Sequence, residues 1–279
     1  VITVNDADDL DYEVTTSYSL TVRVSDGTTN SDETITVTVT DSNDNIPTYS
    51  SSSTTKSMNE FDEGSAQTVD TVSITDADLD ATNTNTCTLG GNDAGDFTCA
   101  VTDSQYALTF TNSPDYENPA DSNTDNVYAV TVTINDGANT GSTISYTITI
   151  TDLNDETPSY SSSDTSPSIT EGVSAVETVA ISDADALDTN ACILGGADAD
   201  DFTCSISPTQ FVLAFATAPD FDSPSDSDSN NIYTVTVTVN DGSQAGSTIT
   251  YTISVLNIND DVPQYLSLIH ISEPTRLPG

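Results

Sequence analysis

Acidic side chains recur at fixed intervals in this sequence, in combinations that suit a cation site. The string Asp41-Ser42-Asn43-Asp44-Asn45-Ile46-Pro47 returns as residues 152–158 and again as residues 257–263. The closing prolines are 111 and then 105 residues apart. A hard divalent cation such as Ca²⁺ takes about six to eight oxygens from carboxylates, Asn side chains and backbone carbonyls. Each string therefore offers several of the ligands that such an ion requires.

Further acidic landmarks keep the same order between these strings. They are Asp76-Ala77-Asp78 and Asp183-Ala184-Asp185, Asp115-Tyr116-Glu117 and Asp220-Phe221-Asp222, and Asp136-Gly137 and Asp241-Gly242, while residues 1–47 hold only Asp11-Tyr12-Glu13 and Asp26-Gly27. Magnesium would demand a tighter octahedron, and zinc is disfavoured because thiols and imidazoles are absent from these positions. An isolated Asp is usually a solvated or turn residue, so the prediction depends on the repeated set.

The segments that must position these acids have the period of β-strands. Five runs alternate an apolar residue with Thr or Ser: 17–24, 33–40, 128–134, 145–150 and 233–239. Such alternation indicates one buried and one wet face, and the β-branched residues suit a pleated surface. No segment carries a sustained helical pattern. We therefore predict an all-β fold.

The internal repetition predicts the domain organisation. About 105 residues with roughly seven short strands fits a two-sheet sandwich, and each proline stops strand pairing at a boundary. The predicted division is half a repeat at 1–47, complete repeats at 48–158 and 159–263, and a tail at 264–279. The tail resembles a translated sequencing-adapter end, so we interpret it as non-native; the alternative is the genuine start of another repeat.

Taken together, the linker string, the acidic triplet, the Asp-x-Asp and the Asp-Gly resemble the cadherin repeat over nearly all of residues 1–263. The resemblance implies tandem seven-stranded Greek-key sandwiches of the immunoglobulin-like, cadherin type, joined end to end. It also implies Ca²⁺ as the bound ion, held at the junctions between repeats.

Carried over residue by residue, the resemblance implies three junction sites. The first set is Asp11, Glu13, Asp41, Asn43, Asp44, Asn45, Asp76, Asp78, Asp136 and, through a carbonyl, Asn85. The second set is Glu63 with Glu60 as the alternative, Asp115, Glu117, Asp152, Asn154, Asp155, Asp183, Asp185, Asp241 and, through a carbonyl, Asn190. The third set is an upper half only: Glu171, Asp220, Asp222, Asn259 and Asp260. Asp222 stands where the family usually has Glu, so we expect this third site to be empty or partly filled.

Charge excludes several function classes. The chain has 45 acids, three Lys or Arg and a formal net charge of −42 in 279 residues. A nucleic-acid binder needs a basic surface, and so does an electrostatic anchor on anionic lipid. No apolar run is long enough for membrane insertion of this segment. Trp is absent, the single His lies in the tail and the only lysine is Lys56, so we do not expect an enzyme.

Cysteine spacing points to an oxidising compartment. Cys87 and Cys99, like Cys192 and Cys204, are twelve positions apart at equivalent places in the two complete repeats. One disulfide inside each repeat would fit an extracellular setting, whereas four buried free thiols are the alternative.

Two functions remain open from the sequence. The first is a calcium-stiffened extracellular rod that serves adhesion or acts as a spacer in a large surface protein, with other cadherin-like chains or surface glycans as partners. The second is a calcium-dependent carbohydrate-binding module, which should show an exposed aromatic platform beside an open calcium site.

Overall fold

A computed structural model describes residues 1–5, 10–50, 52–60, 67–78, 84–102, 104–161, 163–185 and 190–262. The chain divides into two compact units, Val1–Leu153 and Asn154–Gly279. The division falls in the second linker string. The finer division into one half repeat and two complete repeats stays a prediction, and the predicted non-native tail lies outside the described residues.

The first unit is built from ten strands. They are β1 (Ser17–Ser25), β2 (Asn30–Thr38), β3 (Thr48–Tyr49), β4 (Thr55–Asn59), β5 (Thr68–Thr75), β6 (Thr86–Gly90), β7 (Phe97–Thr102), β8 (Gln105–Phe110), β9 (Val127–Asn135) and β10 (Thr140–Thr151). Strands β1 and β2 form an antiparallel pair, and the others form two four-stranded sheets in the orders β3-β5-β8-β7 and β4-β10-β9-β6.

The second unit repeats these two sheets. Its strands are β11 (Ser159–Tyr160), β12 (Ser168–Thr170), β13 (Ala175–Ser182), β14 (Ala191–Gly195), β15 (Phe202–Ser207), β16 (Gln210–Phe215), β17 (Ile232–Asn240) and β18 (Ile249–Leu256). The sheet orders are β11-β13-β16-β15 and β12-β18-β17-β14. The prediction of all-β, seven-stranded sandwiches is confirmed, with the first strand broken into two pieces, one in each sheet. The five predicted strand runs correspond to β1, β2, β9, β10 and β17.

Alternation along the strands generates the core. In β17, Tyr233, Val235, Val237 and Val239 are fully buried, and the threonines between them face outward. Aromatic rings close one end of each core: Tyr128 meets Phe110 edge to face in the first unit, and Tyr233 meets Phe215 in the same way in the second.

The β1–β2 pair is different, because its apolar face lacks a covering sheet. Val24 is 68% exposed, whereas Ile134, its counterpart in β9, is fully buried. No helix of the described residues is long and apolar enough to cross a membrane.

The two basic side chains in the described residues are both paired with Asp. Arg23 of β1 binds Asp32 of β2 in an exposed bidentate pair. Lys56 Nζ of β4 lies 3.1 Å from Asp70 Oδ2 of β5, which also accepts bonds from the Ser52 and Tyr146 hydroxyls. Desolvation opposes the ionisation of Asp70, but these three donors outweigh it and hold its pKa below the usual range.

Each complete repeat carries the predicted disulfide. Cys87 of β6 is bonded to Cys99 of β7, and Cys192 of β14 to Cys204 of β15. In both repeats the two strands are edge strands of opposite sheets. Each disulfide therefore fastens the two sheets together at one edge of the sandwich.

Removing one disulfide should destabilise only its own repeat. For the double variant C192S/C204S we expect a loss of about 3 kcal/mol in the free energy of unfolding. The disulfide closes a loop of this size in the unfolded chain and lowers its conformational entropy, so that folding costs less entropy when the bond is present. Chemical denaturation at fixed calcium concentration measures the change. The double variant C87S/C99S is the matched control and should shift the unfolding transition of the repeat that contains Cys87 and Cys99. Denaturation midpoints that stay unchanged in both variants would contradict the structural role of the disulfides.

Candidate metal centres

The first candidate centre lies wholly within the first unit. Glu13, Asp44 and Asp78 each place one carboxylate oxygen within 4.8 Å of the others. Glu13 lies within the turn in which Val14 N–H donates to Asp11, and Asp44 belongs to the linker string. Asp78, just after β5, is 2% exposed. Three elements distant in sequence therefore bring three of the candidate carboxylates together.

Backbone and amide bonds hold the linker in this place. Asn45 donates to Asp78 through its backbone N–H at 2.8 Å and through its side-chain amide at 2.8 Å. Asn43 donates its side-chain amide to the Asp136 carbonyl at 3.1 Å. The Asn139 amide bonds the Asn45 carbonyl at 3.1 Å. The linker is thus fixed to the acids that are proposed to share an ion with it.

A polar cleft of about 540 Å³ opens beside this cluster. Its walls include Asp11, Glu13, Asp44 and Asn45. A backbone hydrogen bond lowers the pKa of Glu13, but desolvation and the negative charges of Asp41, Asp78 and Asp44 outweigh it and leave the pKa raised. Where neighbouring carboxylates raise the pKa of a carboxyl group, a bound cation would reduce the repulsion between their negative charges.

Shielded carboxylate oxygens without hydrogen-bond partners complete the first set. They are Asp41 Oδ1 and Asp76 Oδ2. Asn85 precedes β6, and its neighbour Thr84 donates to the Asp136 carbonyl at 3.3 Å, so this segment also lies beside the set. A buried anionic oxygen without a donor is costly, and a metal ion removes that cost.

The second linker begins at the end of the first unit. Glu60, which is 2% exposed, accepts bonds from the backbone N–H groups of Tyr116 and Leu153. These bonds draw the Asp115–Glu117 triplet to the start of the linker. An oxygen of Glu117 lies within 4.8 Å of one of Glu60 and of one of Asp152. Glu60, the alternative in the sequence prediction, occupies this place, and Glu63 lies outside the described residues.

The second unit supplies the other acids of the second set. Glu156 N–H donates to Asp185 at 2.9 Å and the Asn154 amide donates to the Asp241 carbonyl at 3.2 Å, which repeats the bonds of Asn45 and Asn43 in the first unit. The Gln244 amide donates to the Asp155 carbonyl. Both oxygens of Asp183, together with Asp241 Oδ2 and Asn190 Oδ1, are shielded and accept no hydrogen bond.

The third set gathers at the far end of the second unit. Glu171, 5% exposed, accepts bonds from the backbone N–H groups of Phe221 and Ile258. A carboxylate oxygen of Glu171 lies within 4.8 Å of oxygens of Asp220 and Asp222. Asp222 also forms a second cluster of this kind with Asp260 and Asp261. The pKa of Asp222 is raised, mainly by desolvation and then by the negative charges of Asp261, Glu171, Asp220 and Asp260. Asn259 is exposed.

Two members of these clusters were missed or ranked second from the sequence. Asp261, which stands at the position of Asn45 in the linker string, is not among the candidates predicted from the sequence. Glu60 was ranked below Glu63; its equivalence to Glu171 is visible in the matched bonds of Glu60 N–H to Thr151 and Glu171 N–H to Leu256. Glu60 and Glu171 each lie 13 residues after the preceding linker proline, Pro47 or Pro158, whereas Glu63 lies 16 residues after Pro47, so this spacing in the sequence indicates the match.

Four other buried acids have a different role. Asp93 accepts backbone bonds from Ser122 and Ala129, and Asp198 accepts them from Ser227 and Thr234. Asp121 and Asp226 likewise accept two backbone N–H groups each, within their own loops. Both oxygens of each carboxylate accept backbone bonds, and none of these four acids belongs to a carboxylate cluster among the described residues, so they organise loops.

Comparison with known proteins supports the fold. No protein-family model matches the chain and no curated protein matches it. Solved structures do match. The protocadherin gamma B4 extracellular domain has a TM-score of 0.62 and 22% identity, covering 92% of this chain and 40% of that one. PcdhgB3 EC1-4 has a TM-score of 0.62 and 21% identity, covering 89% and 59%. Mouse cadherin-23 EC22-24 has a TM-score of 0.54 and 21% identity, covering 89% and 77%.

These likenesses define the class of fold. The chain is built from cadherin-like β-sandwich repeats, which confirms the resemblance found in the sequence. It spans 40% of the first of these structures and 59% of the second, so their whole-protein activities are not carried over.

Electrostatics at the first centre can be measured directly. In calcium-free protein we expect the Glu13 carboxyl to titrate above its ordinary value of 4.5, and D44N to lower that midpoint because one repelling charge is gone. Carboxyl carbon NMR across a pH series measures it, with E13Q to assign the signal. D164N, an exposed acid of the second unit, is the control, and an unshifted Glu13 in D44N would contradict the proposed repulsion.

Proposed function

We propose that this chain is a calcium-binding extracellular segment in which Ca²⁺ stiffens the linkers between cadherin-like repeats. One observation carries the proposal: solvent-shielded carboxylate oxygens without donors stand beside both linkers, at Asp41 and Asp76 in the first unit and at Asp183 and Asp241 in the second. Asp76 and Asp183 hold equivalent positions directly after β5 and β13. Acids with a purely structural role, such as Asp93, have their oxygens satisfied.

The chemistry of these residues fits calcium. The donors are carboxylates, Asn oxygens and carbonyls in irregular loops, which suit a cation that accepts variable geometry. Two like charges about 4 Å apart repel by about 4 kcal/mol at an effective dielectric constant of 20. A bound ion would replace that repulsion with attraction. Asp78, Asp136, Asp185 and Asp241 would hold it from buried positions, and Asp44, Asp152 and Asp155 from the linkers.

The mechanism follows from where the acids lie. At the first linker, Asp44 lies close to Glu13, which precedes the string, and to Asp78, which follows it, so an ion bound by all three opposes bending of this linker. The repeated sequence leads us to propose the same for the second linker. Without the ion, repulsion favours conformations that separate the carboxylates. The function is therefore that of a spacer or adhesive segment of a surface protein, whose stiffness depends on external calcium.

The carbohydrate-binding alternative receives no support from the exposed side chains. Among the described residues, the large exposed hydrophobic side chains are aliphatic, and the largest aromatics, such as Tyr106, Tyr146 and Tyr251, are buried. A sugar platform of stacked aromatic rings would need the opposite distribution.

Calcium should bind to the chain and stabilise it. At a free concentration one hundred times the dissociation constant, each site would add about 2.7 kcal/mol to the free energy of unfolding. Isothermal titration calorimetry and thermal unfolding with and without chelator measure the effect. D183N should weaken binding at the second linker, since it replaces one of two carboxylate oxygens without donors by an NH₂ group and removes a negative charge. D200N, an exposed acid outside the sets, should behave as wild type; equal binding by both variants would refute the assignment.

Stiffening requires a separate measurement. Solution scattering with calcium should give one maximum dimension, and chelation should shorten or broaden the distribution, because the linkers then bend. D152A/D155A should reproduce part of the chelation effect in the presence of calcium, at the second linker only. A distribution that chelation leaves unchanged would defeat the stiffening proposal even if calcium binds.

A further inference from the structure

The loop after each acidic triplet is either short or long. Three residues, 14–16, separate Asp11-Tyr12-Glu13 from β1. Nine residues, 118–126, separate Asp115-Tyr116-Glu117 from β9, and nine, 223–231, separate Asp220-Phe221-Asp222 from β17. A longer loop leaves its ends more conformational freedom. The two triplets that precede long loops therefore need additional contacts to hold their carboxylates in one place.

Asn126 anchors the end of the first long loop. Its φ of 62° lies in the left-handed region, which Asn adopts more readily than most residues do. The Asn126 N–H donates to Asp121 Oδ1 at 3.2 Å, and its carbonyl accepts the Ile150 N–H of β10 at 2.9 Å. Asp121 is 3% exposed, and its Oδ2 accepts the Asp125 N–H at 2.9 Å. The buried Asp121 carboxylate thus closes the loop, and β10 fixes its end.

The side chain of Asn126 connects this anchored end to the triplet. Its Nδ2 donates to the Tyr116 carbonyl at 2.8 Å. The Tyr116 N–H donates to Glu60 Oε2. The peptide groups on both sides of Tyr116 are therefore held by side chains, and they join it to Asp115 and Glu117. Because both of these acids are candidate ligands, the two hydrogen bonds constrain where the candidate carboxylates lie.

The same contacts recur in the second unit. Asn231 has a φ of 64°, its N–H donates to Asp226 Oδ1 at 3.3 Å and its carbonyl accepts the Val255 N–H at 2.9 Å. Its Nδ2 donates to the Phe221 carbonyl at 2.9 Å, and the Phe221 N–H donates to Glu171 at 2.8 Å. The residues between the Asp and the Asn are SNTD in one loop and SDSN in the other, and three of these four positions differ. The arrangement therefore depends on the Asp and the Asn.

The short loop has no Asn at this position. Thr16 precedes β1, and its carbonyl accepts the Val39 N–H at 2.9 Å, which is the backbone contact that Asn126 makes in the long loop. The Thr15 N–H donates to the Asp11 carbonyl at 2.8 Å and closes a tight turn around the triplet. The amide contact to the triplet therefore accompanies the long loops.

We propose that Asn126 is a positioning residue that holds Asp115 and Glu117 in the arrangement that binds calcium. The inference rests on the proposed calcium function and deepens it, because an uncharged donor outside the candidate ligand set would then determine the affinity. Carboxylates at the linker repel one another when no ion is bound. The Asn126 amide opposes the displacement that this repulsion favours, so less rearrangement is needed when the ion binds.

A direct ligand role for Asn126 is the alternative. Asn126 Oδ1 is shielded from solvent and accepts no hydrogen bond from the described residues, and an amide oxygen has the chemistry of a calcium ligand. The positioning role instead depends on the Nδ2 donor. N126G and N126D distinguish the two roles, because Gly and Asp both tolerate the left-handed backbone. N126G removes the whole amide, whereas N126D keeps an oxygen and loses the donor.

Calcium titration of the full chain, followed by two-dimensional amide NMR, measures the two linkers separately. The N–H groups of Tyr116 and Leu153 donate to the same buried Glu and report on the second linker, and the Asn45 N–H, which donates to Asp78, reports on the first. N126G should raise the apparent Kd from the Tyr116 and Leu153 signals at least about tenfold and leave the Asn45 titration unchanged. N126D should also weaken binding, although it adds a negative charge, and it carries the test if N126G misfolds.

Stability measurements separate positioning from loop stabilisation. If the amide acts through calcium affinity, the stability lost in N126G grows with the calcium concentration, because the variant gains less from the ion than wild type does. A role confined to the structure of the loop gives the same loss with calcium and with chelator. Thermal unfolding of both proteins under the two conditions measures the difference.

N123G is the matched control. Asn123 lies in the same loop, is exposed and donates its side-chain amide to Asp125 at 2.8 Å. The substitution loosens the loop backbone and should leave the calcium affinity unchanged. A wild-type chain whose signals do not respond to calcium would sink the proposed function itself. Wild-type affinity in N126G, affinity in N126D that equals or exceeds wild type, equal weakening by N123G and N126G, or an N126G stability loss that is the same with and without calcium would each overturn this inference alone.

Discussion

Carboxylate repulsion is the constraint on which the organisation of this molecule depends. With 45 acids and three basic residues, internal salt bridges cannot neutralise the chain. In the described residues the fold instead places most acids in loops and linkers, with only Asp32, Glu33, Asp70 and Glu177 in strands, and forms its sheets mainly from Thr, Ser and apolar residues. Buried acids are then either satisfied by backbone N–H groups, as Asp93 and Asp198 are, or left with oxygens that have no donor, as Asp183 is.

Hydrogen bonds and position together separate two kinds of buried carboxylate, since Asp78 and Glu60 also have donors on both oxygens but lie in the acidic clusters at the linkers. Asp121 and Asp226 organise a loop without any ion. By contrast, Asp76 Oδ2 and both oxygens of Asp183 are shielded and accept no hydrogen bond from the residues that the structure describes, while Asp76 Oδ1 accepts the Asp78 N–H. With such positions in two successive repeats, the folded protein carries the desolvation free energy of these oxygens when no ion is present, and a bound ion would remove it.

The strands and disulfides could be predicted from the sequence because their signals are local or repeated. Alternation of Val and Thr in β9 and β17 specifies a half-buried strand, and two cysteine pairs at equal spacing specify one bond per repeat. Details of the centres could not be predicted in this way. The choice of Glu60 over Glu63 depends on the hydrogen bonds that Glu60 accepts from the backbone N–H groups of Tyr116 and Leu153. The hydrogen bond from the Asn43 side-chain amide to the Asp136 carbonyl joins residues that are 93 positions apart. Such contacts depend on tertiary packing, which single-residue patterns do not encode.

The placement of the few basic residues has a consequence for survival outside a cell. Proteases of trypsin-like specificity cut after Lys or Arg and need a locally unfolded segment to enter their cleft. In the described chain their targets are Arg23 and Lys56, which lie within paired strands and are bound to Asp32 and Asp70. The long stretch from β5 through β18 contains no Lys or Arg, so Lys56 of β4 is the one target within the described strands of the two sandwiches.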